Sequence, residues 1–260
     1  PLDILTPPTS PSGAVVNFIV TAEDFLDPNP VVSCDPPSGS LFPFGLTTVQ
    51  CTATDASGNV GHGSFTITVG GTAHTLRVRS VGGNDGSLRE SVETSGISNY
   101  ADAGNQLIAV GDDSLKRQYL GILDFDTSSL PDNAVVTSAR LQVKVMELSN
   151  GIYTSLGNLT ADVTDPWFGT SPSLQYSDFR ARALADAGVF GKATSGNQWI
   201  VLRLRSSSLF AVNLLGNTQF RVRFTLDDNN DLIKHQIGFL SGDYPVVTDR
   251  PTLVITFYVP

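Results

Sequence analysis

At 260 residues, with 40% hydrophobic content, the chain is long enough for one large or two ordinary domains, each with its own core. A net charge of −9 and a pI near 4.6 exclude nucleic acid as a partner, since an acidic surface gains nothing from counterion release. No apolar run reaches the roughly 18 residues of a membrane helix, so no membrane insertion is expected.

The chain opens on Pro1, which is no initiator, and no secretory leader pattern precedes the first strand-like run. A processed chain, or a piece of a longer one, is the expectation. Residues 14–22, AVVNFIVTA, have strand character, and so do residues 64–69, SFTITV. In the second, Phe65, Ile67 and Val69 alternate with Ser64, Thr66 and Thr68. Ala56-Ser57-Gly58-Asn59 reads as a hairpin connection with glycine available for a positive φ. Short strands with turns this frequent predict a small β-sandwich.

Two cysteines lie in this stretch. Cys34 shares a strand face with Val32, and Cys51 shares one with Val49 and Ala53, so both sulfurs can face one core. Two thiols without a CxxC spacing supply neither a zinc site nor a redox motif. A Cys34–Cys51 bridge would contribute about 3 kcal/mol in the chain-entropy model; the other arrangement is two buried free thiols. The bridge is the expectation, and with it an oxidising, extracellular location.

PSGAVVNFIVTAED, CDPPSGSLFPFGLTTVQCTATDASGN and SFTITV together resemble the hyalin repeat, or HYR domain, over about residues 1–70. The resemblance implies an immunoglobulin-like fold of extracellular adhesion proteins, with no catalytic residues. Many members carry a third cysteine just before the final strand. Here that position is Gly63, which leaves Cys34 and Cys51 only each other.

Gly70-Gly71-Thr72-Ala73 is the natural seam, and residues 71–74 are expected to link a first domain, 1–70, to a second, 75–260. Beyond the seam the strands lengthen: TLRVRS, YLGILDF, SARLQVKV, WIVLRLR, QFRVRFTL and TLVITFYV. No strand–helix alternation accompanies them, so the second domain is expected to be a larger jelly-roll-like sandwich. Short helices are predicted near Ser177–Asp186, with Ser177 as N-cap and Gly188 beyond the end, and near Ser207–Leu214. SLRESVETSG, LIAVGDDSLKRQYLGILDFDTSSLPDNAVVTSARLQVKV, TQFRVRFTLDDNNDL and RPTLVITFYVP resemble the DNRLRE-type domain. That group is similar to carbohydrate-binding modules proposed to hold acidic polysaccharides, which implies an extracellular, non-catalytic sandwich.

Catalytic patterns are missing from the sequence. There is no GxSxG elbow and no HExxH, and His62, His74 and His235 read as separate surface residues. Glu90 and Glu93, the one close glutamate pair, fall on opposite faces if their segment is a strand, so they cannot flank one glycosidic bond. The protein is read as not an enzyme.

Two features point to binding. Asp227, Asn229 and Asp231, in the run DDNND after a strand ending at Leu226, give the D-x-N-x-D spacing that begins an EF-hand loop. Leu232 replaces the glycine at position six and Gly238 the glutamate at position twelve, which excludes an EF-hand. A Ca2+ site at the sandwich edge, with Asp112 and Asp113 as further ligands, stands against an Asx-type turn whose side chains bond their own backbone. The second feature is alternation of basic with apolar residues at Arg77, Arg79, Arg140, Lys144, Arg203, Arg205, Arg221 and Arg223, half of the 16 basic residues. These form either a solvated outer face or a platform for carboxylates, with Arg203, Arg205, Arg221 and Arg223 as the expected partner face. The expected function is therefore adhesion or assembly at a cell surface, including self-assembly into a fibre, with other copies or other surface proteins as partners. The alternative is a carbohydrate-binding module for acidic polysaccharide, including one that forms the tail of a larger glycan-active protein.

Overall fold

Period-two alternation places Val49, Cys51, Phe65, Ile67 and Val69 on one side of two ten-residue strands, and these residues are buried together in the computed structural model, which describes residues 1–259. The chain divides into two units. The first takes in residues 1–74, 133–137 and the chain from Phe257; the second takes in 75–132 and 138–256.

In the first unit the strands are β1 (Ile4–Thr6), β2 (Ala14–Val15), β3 (Val31–Asp35), β4 (Leu41–Phe42), β5 (Gly45–Thr54) and β6 (Val60–Val69). They form a four-stranded sheet in the order β1-β6-β5-β3, faced by the short pair β2–β4. The β5–β6 hairpin closes over Ala56–Asn59 as expected: Asp55 Oδ1 accepts from the N–H groups of Ser57 and Asn59, and Gly58 takes φ 89. Cys34 lies directly opposite Cys51 across β3 and β5, and the two are joined by a disulfide. Gly13 has φ 132, and a Cβ there would run into the Phe42 carbonyl, so only glycine fits at the start of β2.

The expected strand over residues 14–22 is paired only at Ala14 and Val15. Its remainder is extended and alternates in burial, with Val16, Phe18 and Val20 turned to the core and Asn17, Ile19 and Thr21 exposed. Phe18 packs edge-on against Phe65, ring centroids 4.9 Å apart. What this segment lacks is a neighbouring backbone along one edge.

The second unit is built on β7 (His74–Arg79), β8 (Gly86–Glu90), β9 (Ser98–Asp102), β10 (Leu107–Asp112), β11 (Gln118–Asp126), β12 (Val135–Leu148), α1 (Ile152–Ser155), β13 (Leu159–Thr164), β14 (Ala185–Val189), β15 (Gln198–Arg203), β16 (Asn217–Phe224), β17 (Gln236–Leu240) and β18 (Thr252–Tyr258), of which His74, residues 135–137 and residues 257–258 are counted with the first. The main path runs β14-β13-β16-β11-β10-β17-β12-β18-β7, with β15 on β12, β8 on β11 and β9 on β8. This curled, jelly-roll-like sandwich encloses Ile108, Val110, Ile122, Leu123, Phe125, Leu141, Val143, Phe220, Phe239 and Ile255, all fully buried. All six predicted long runs are strands.

The predicted helix near 177–186 is a correction. Only Tyr176–Phe179 forms a 3-10 turn, capped by Gln175 rather than Ser177 through a box with Asp178. Ala185–Val189 is strand, with Gly188 at φ 136 beside a register shift against β13. Edge pairing with β13 outweighs the local helix signal there. The second predicted helix is a 3-10 segment, Ser206–Ala211.

Candidate functional site

The basic strands separate into two environments. β15 pairs with β12, whereas β16 lies between β11 and β13, so Arg203 and Arg205 are not on a strand neighbouring Arg221 and Arg223. The single four-arginine platform expected from the sequence does not form in one place.

Arg221 is interior rather than outward. Its guanidinium bonds Asp162 through Nη2 (2.9 Å) and donates from Nη1 to the carbonyls of Asp178, Phe179 and Ala181 at 3.0, 3.2 and 2.7 Å. It also lies 4.7 Å over the ring of Phe168. Arg223 reaches the same Asp162 carboxylate. Burial pushes the Asp162 carboxyl up, but the bonds from Arg223 and Arg221 prevail and hold it below the ordinary range. Arg205 meets Asp186 at 3.2 Å with both side chains mostly exposed, a pair worth little.

The outer face of β7, β18, β12 and β15 is different. Register puts Arg203 opposite Arg140 and Trp199 opposite Lys144, and Lys144 pairs with Asp249 at 2.8 Å. Arg77, Arg79, Gln142, Trp199, Thr248 and Thr252 line an open depression of about 340 Å³. Trp199 is 40% exposed there. The side chains of Arg77, Arg79 and Arg203 make no hydrogen bond or ion pair among the described residues. Alternation in TLRVRS and WIVLRLR flags these residues in the sequence; their convergence depends on long-range pairing and does not show there.

The acidic loop bonds itself. Asp228 Oδ1 accepts from the Asn230 N–H, Asn229 Oδ1 from Asp231 and Asp231 Oδ1 from Ile233, the last two residues on each time. Asp227 Oδ1 accepts from the Asp228 N–H. Leu232, where an EF-hand has glycine, takes φ 60, a conformation that favours glycine. Asp113 is occupied by a two-point bond from Arg117 at 2.9 and 2.7 Å. Asp112 is buried, its carboxyl pushed up by burial, and it accepts the His235 N–H at 2.8 Å. Among the described residues no group of three acidic, His or Cys side chains is arranged to hold a metal ion.

His235 corrects a second expectation: it is 6% exposed, not a surface residue. Its Nε2 lies 3.2 Å from Ser155 Oγ, and its Nδ1 lies 3.7 Å from Asp112 Oδ1. Serine, histidine and aspartate thus meet from residues 155, 235 and 112, too far apart in the chain for any motif. The Nδ1–Asp112 gap exceeds hydrogen-bond length, and that oxygen already takes the His235 backbone N–H, so the ring is not oriented as a relay would need. Glu90 is buried and turned to the Gly96 N–H, while Glu93 pairs with Lys116, so the two glutamates serve separate contacts.

The family model of the HYR domain matches residues 6–69. No curated protein sequence matches the chain. Among solved structures, the chain is similar to CBM51-2 with INT domains of Clostridium perfringens ZmpB, solved with GlcNAc, at 14% identity over 92% of this chain and 48% of that one, TM-score 0.19. The M60 catalytic domain of ZmpB with CBM51-1 and CBM51-2 aligns at 11% identity over 98% and 23%, TM-score 0.22. A carbohydrate-binding module of the beta-sandwich superfamily, described as promiscuous in specificity, aligns at 10% identity over 85% and 74%, TM-score 0.22. The chain spans about half the length of the first and a quarter of the second. Superpositions this loose say nothing about ligands. Among the described residues no helix is long and apolar enough to cross a membrane.

Proposed function

We propose that this chain is a non-catalytic extracellular surface protein working by contact, in adhesion or assembly, and that it meets an anionic partner on the outer face of β7, β18, β12 and β15. One observation carries the proposal: the Arg77 and Arg79 side chains stand without an ion-pair partner beside exposed Trp199, in a chain of net charge −9. Other arginines of the same unit are matched: Arg117 by Asp113, Arg205 by Asp186, and Arg221 with Arg223 by Asp162. Unmatched guanidinium groups keep their two-point donor geometry for a carboxylate from outside. The HYR match and the disulfide support the extracellular location.

Trp199 favours a second reading of the same face, an acidic polysaccharide, because an indole offers a flat surface to a sugar ring while the arginines take its carboxylates. A glycan array with uronic-acid and neutral oligosaccharides separates the readings. Retention of uronic-acid glycans, abolished by Arg77→Glu with Arg79→Glu and weakened by Trp199→Ala, supports the polysaccharide. No glycan retention, with salt-sensitive binding to an acidic protein surface lost in the same variants, supports protein adhesion. Variants that behave as the parent in both assays would remove this face from the function.

A further inference from the structure

The segment after β2 is a strand with one edge paired and one edge empty. Val16 donates its N–H to the Ser40 carbonyl and accepts from the Gly39 N–H; Phe18 donates to Ser38 Oγ, which donates back to the Phe18 carbonyl. Both N–H and C=O of residues 16 and 18 are therefore spent toward residues 38–40. In an extended chain successive residues point these groups to opposite sides. Asn17, Ile19 and Thr21 consequently aim theirs at the other edge, and none of them makes a backbone hydrogen bond among the described residues. Three N–H and three C=O groups stand in a row, on a strand whose register is locked by the packing of Val16, Phe18 and Val20.

We propose that this edge pairs antiparallel with the same edge of a second copy, with the two-fold axis at Ile19. Residues 14–22 contain no charge, no proline and no lysine, the devices that usually blunt an exposed edge. By contrast the free edge strand β3 is five residues long and bounded by Pro30 and Pro36. The charges that follow choose the orientation. Antiparallel pairing about Ile19 sets Asn17 against Thr21, Glu23 against Val15 and Asp24 against Ala14, whereas parallel pairing would set Glu23 and Asp24 against themselves. It also buries Ile19, 84% exposed in the single chain, against its own copy. Six hydrogen bonds close across the axis, and the partner is a second copy because the edge is complementary to itself.

So short a ladder makes a small interface, so the dimer should form only at protein concentrations of roughly 100 µM and above. Sedimentation of the full chain across that range should show a monomer–dimer equilibrium. Ile19→Pro removes the central N–H from the open edge alone and should weaken the dimer at least about tenfold. Register is read by cysteine: the chain has no free thiol, so an introduced one reports only its own contacts. Ile19→Cys should couple to itself under mild oxidation, since facing residues lie about 5.5 Å apart at Cα. Thr21→Cys alone should not, being about 14 Å from its own copy, yet should couple when mixed with Asn17→Cys. A chain that stays monomeric throughout, or Thr21→Cys coupling to itself as readily as Ile19→Cys, overturns the proposal. The basic face of the second unit takes no part, so loss of anionic binding and loss of the dimer are separate results.

Discussion

Asp162 on β13 lies 2.9 Å from Arg221 on β16, and the pair is nearly sealed from solvent, with side chains 10% and 11% exposed. The arginine ties β16 to the carbonyls of residues 178, 179 and 181, fastening the 3-10 segment over the sheet. Removing Arg221 leaves the buried Asp162 to Arg223 alone and strips the carbonyls of residues 178, 179 and 181 of their shared donor. Arg221→Met should therefore cost the second unit about 3–5 kcal/mol, read by chemical denaturation. Arg223, 38% exposed on its side chain, should cost no more than about 1 kcal/mol on truncation. Equal costs for both would mean the carbonyl bonds of Arg221 contribute nothing.

That arrangement also shows where sequence reading stopped. Alternation correctly turned Phe220, Val222 and Phe224 inward, and it found six strands of the second unit, though not β10 or β13, which are as long as β7 and β15. It says which residues share a face, not whether the second face is open. β16 has neighbours on both edges and residues 178–181 across its other face, so Arg221 became interior. Residues 16–22 fail the opposite way: their pattern is that of a strand, but pairing needs a partner backbone, which no local pattern encodes. His235, Ser155 and Asp112 meet only through tertiary packing. The disulfide was legible because both cysteines carried the same inward phase on strands already marked by their neighbours.

The Cys34–Cys51 bridge closes a 17-residue separation across neighbouring strands, with Cys51 in the first unit's core. Replacing both cysteines by alanine should destabilise that unit by about 3 kcal/mol. Calorimetry of parent and variant checks it, with the second unit's transition unmoved. A first-unit transition that does not shift would show that the bridge removes no freedom from the unfolded chain.

For the DDNND loop, calcium and the self-bonded turn predict opposite results. Of the expected ligands, Asp227 Oδ1, Asn229 Oδ1 and Asp231 Oδ1 each accept a backbone N–H of the loop, and Asp231 Oδ2 accepts from the Asn229 side chain. With the turn in place, melting in chelator and in millimolar calcium should coincide. A site filled at 100 times its dissociation constant would instead add about 2.7 kcal/mol, an easily seen rise in the second unit's melting temperature. That rise, removed by Asp231→Asn, would establish the calcium reading.

Asp85 is fully buried, and the N–H groups of Asp124 and Gly242 donate to its two oxygens at 2.8 and 2.9 Å. Burial nevertheless pushes its carboxyl up to about 7, and the nearby Asp124 carboxylate adds to the rise. A folded-state pKa above the unfolded value means the folded chain holds the proton more tightly. The resulting stability is fully present below about pH 4 and is lost as pH rises through 7, a loss on the order of 4 kcal/mol. Asp162 works in the other direction: its lowered pKa gives stability above the ordinary carboxylate range that disappears as pH falls through the lowered value. The second unit should accordingly be most stable in mild acid, near pH 4, rather than at neutrality. In Asp85→Asn the decline should become shallower, above all from pH 6 to 7, because burial also pushes the Asp178 carboxyl up to about 6, while the acid limb remains. The variant should be less stable overall by about 1–3 kcal/mol, because an amide NH2 then faces a backbone N–H. Parent stability that climbs steadily from pH 5 to 8 would show that the Asp85 carboxylate ionises inside the fold without penalty.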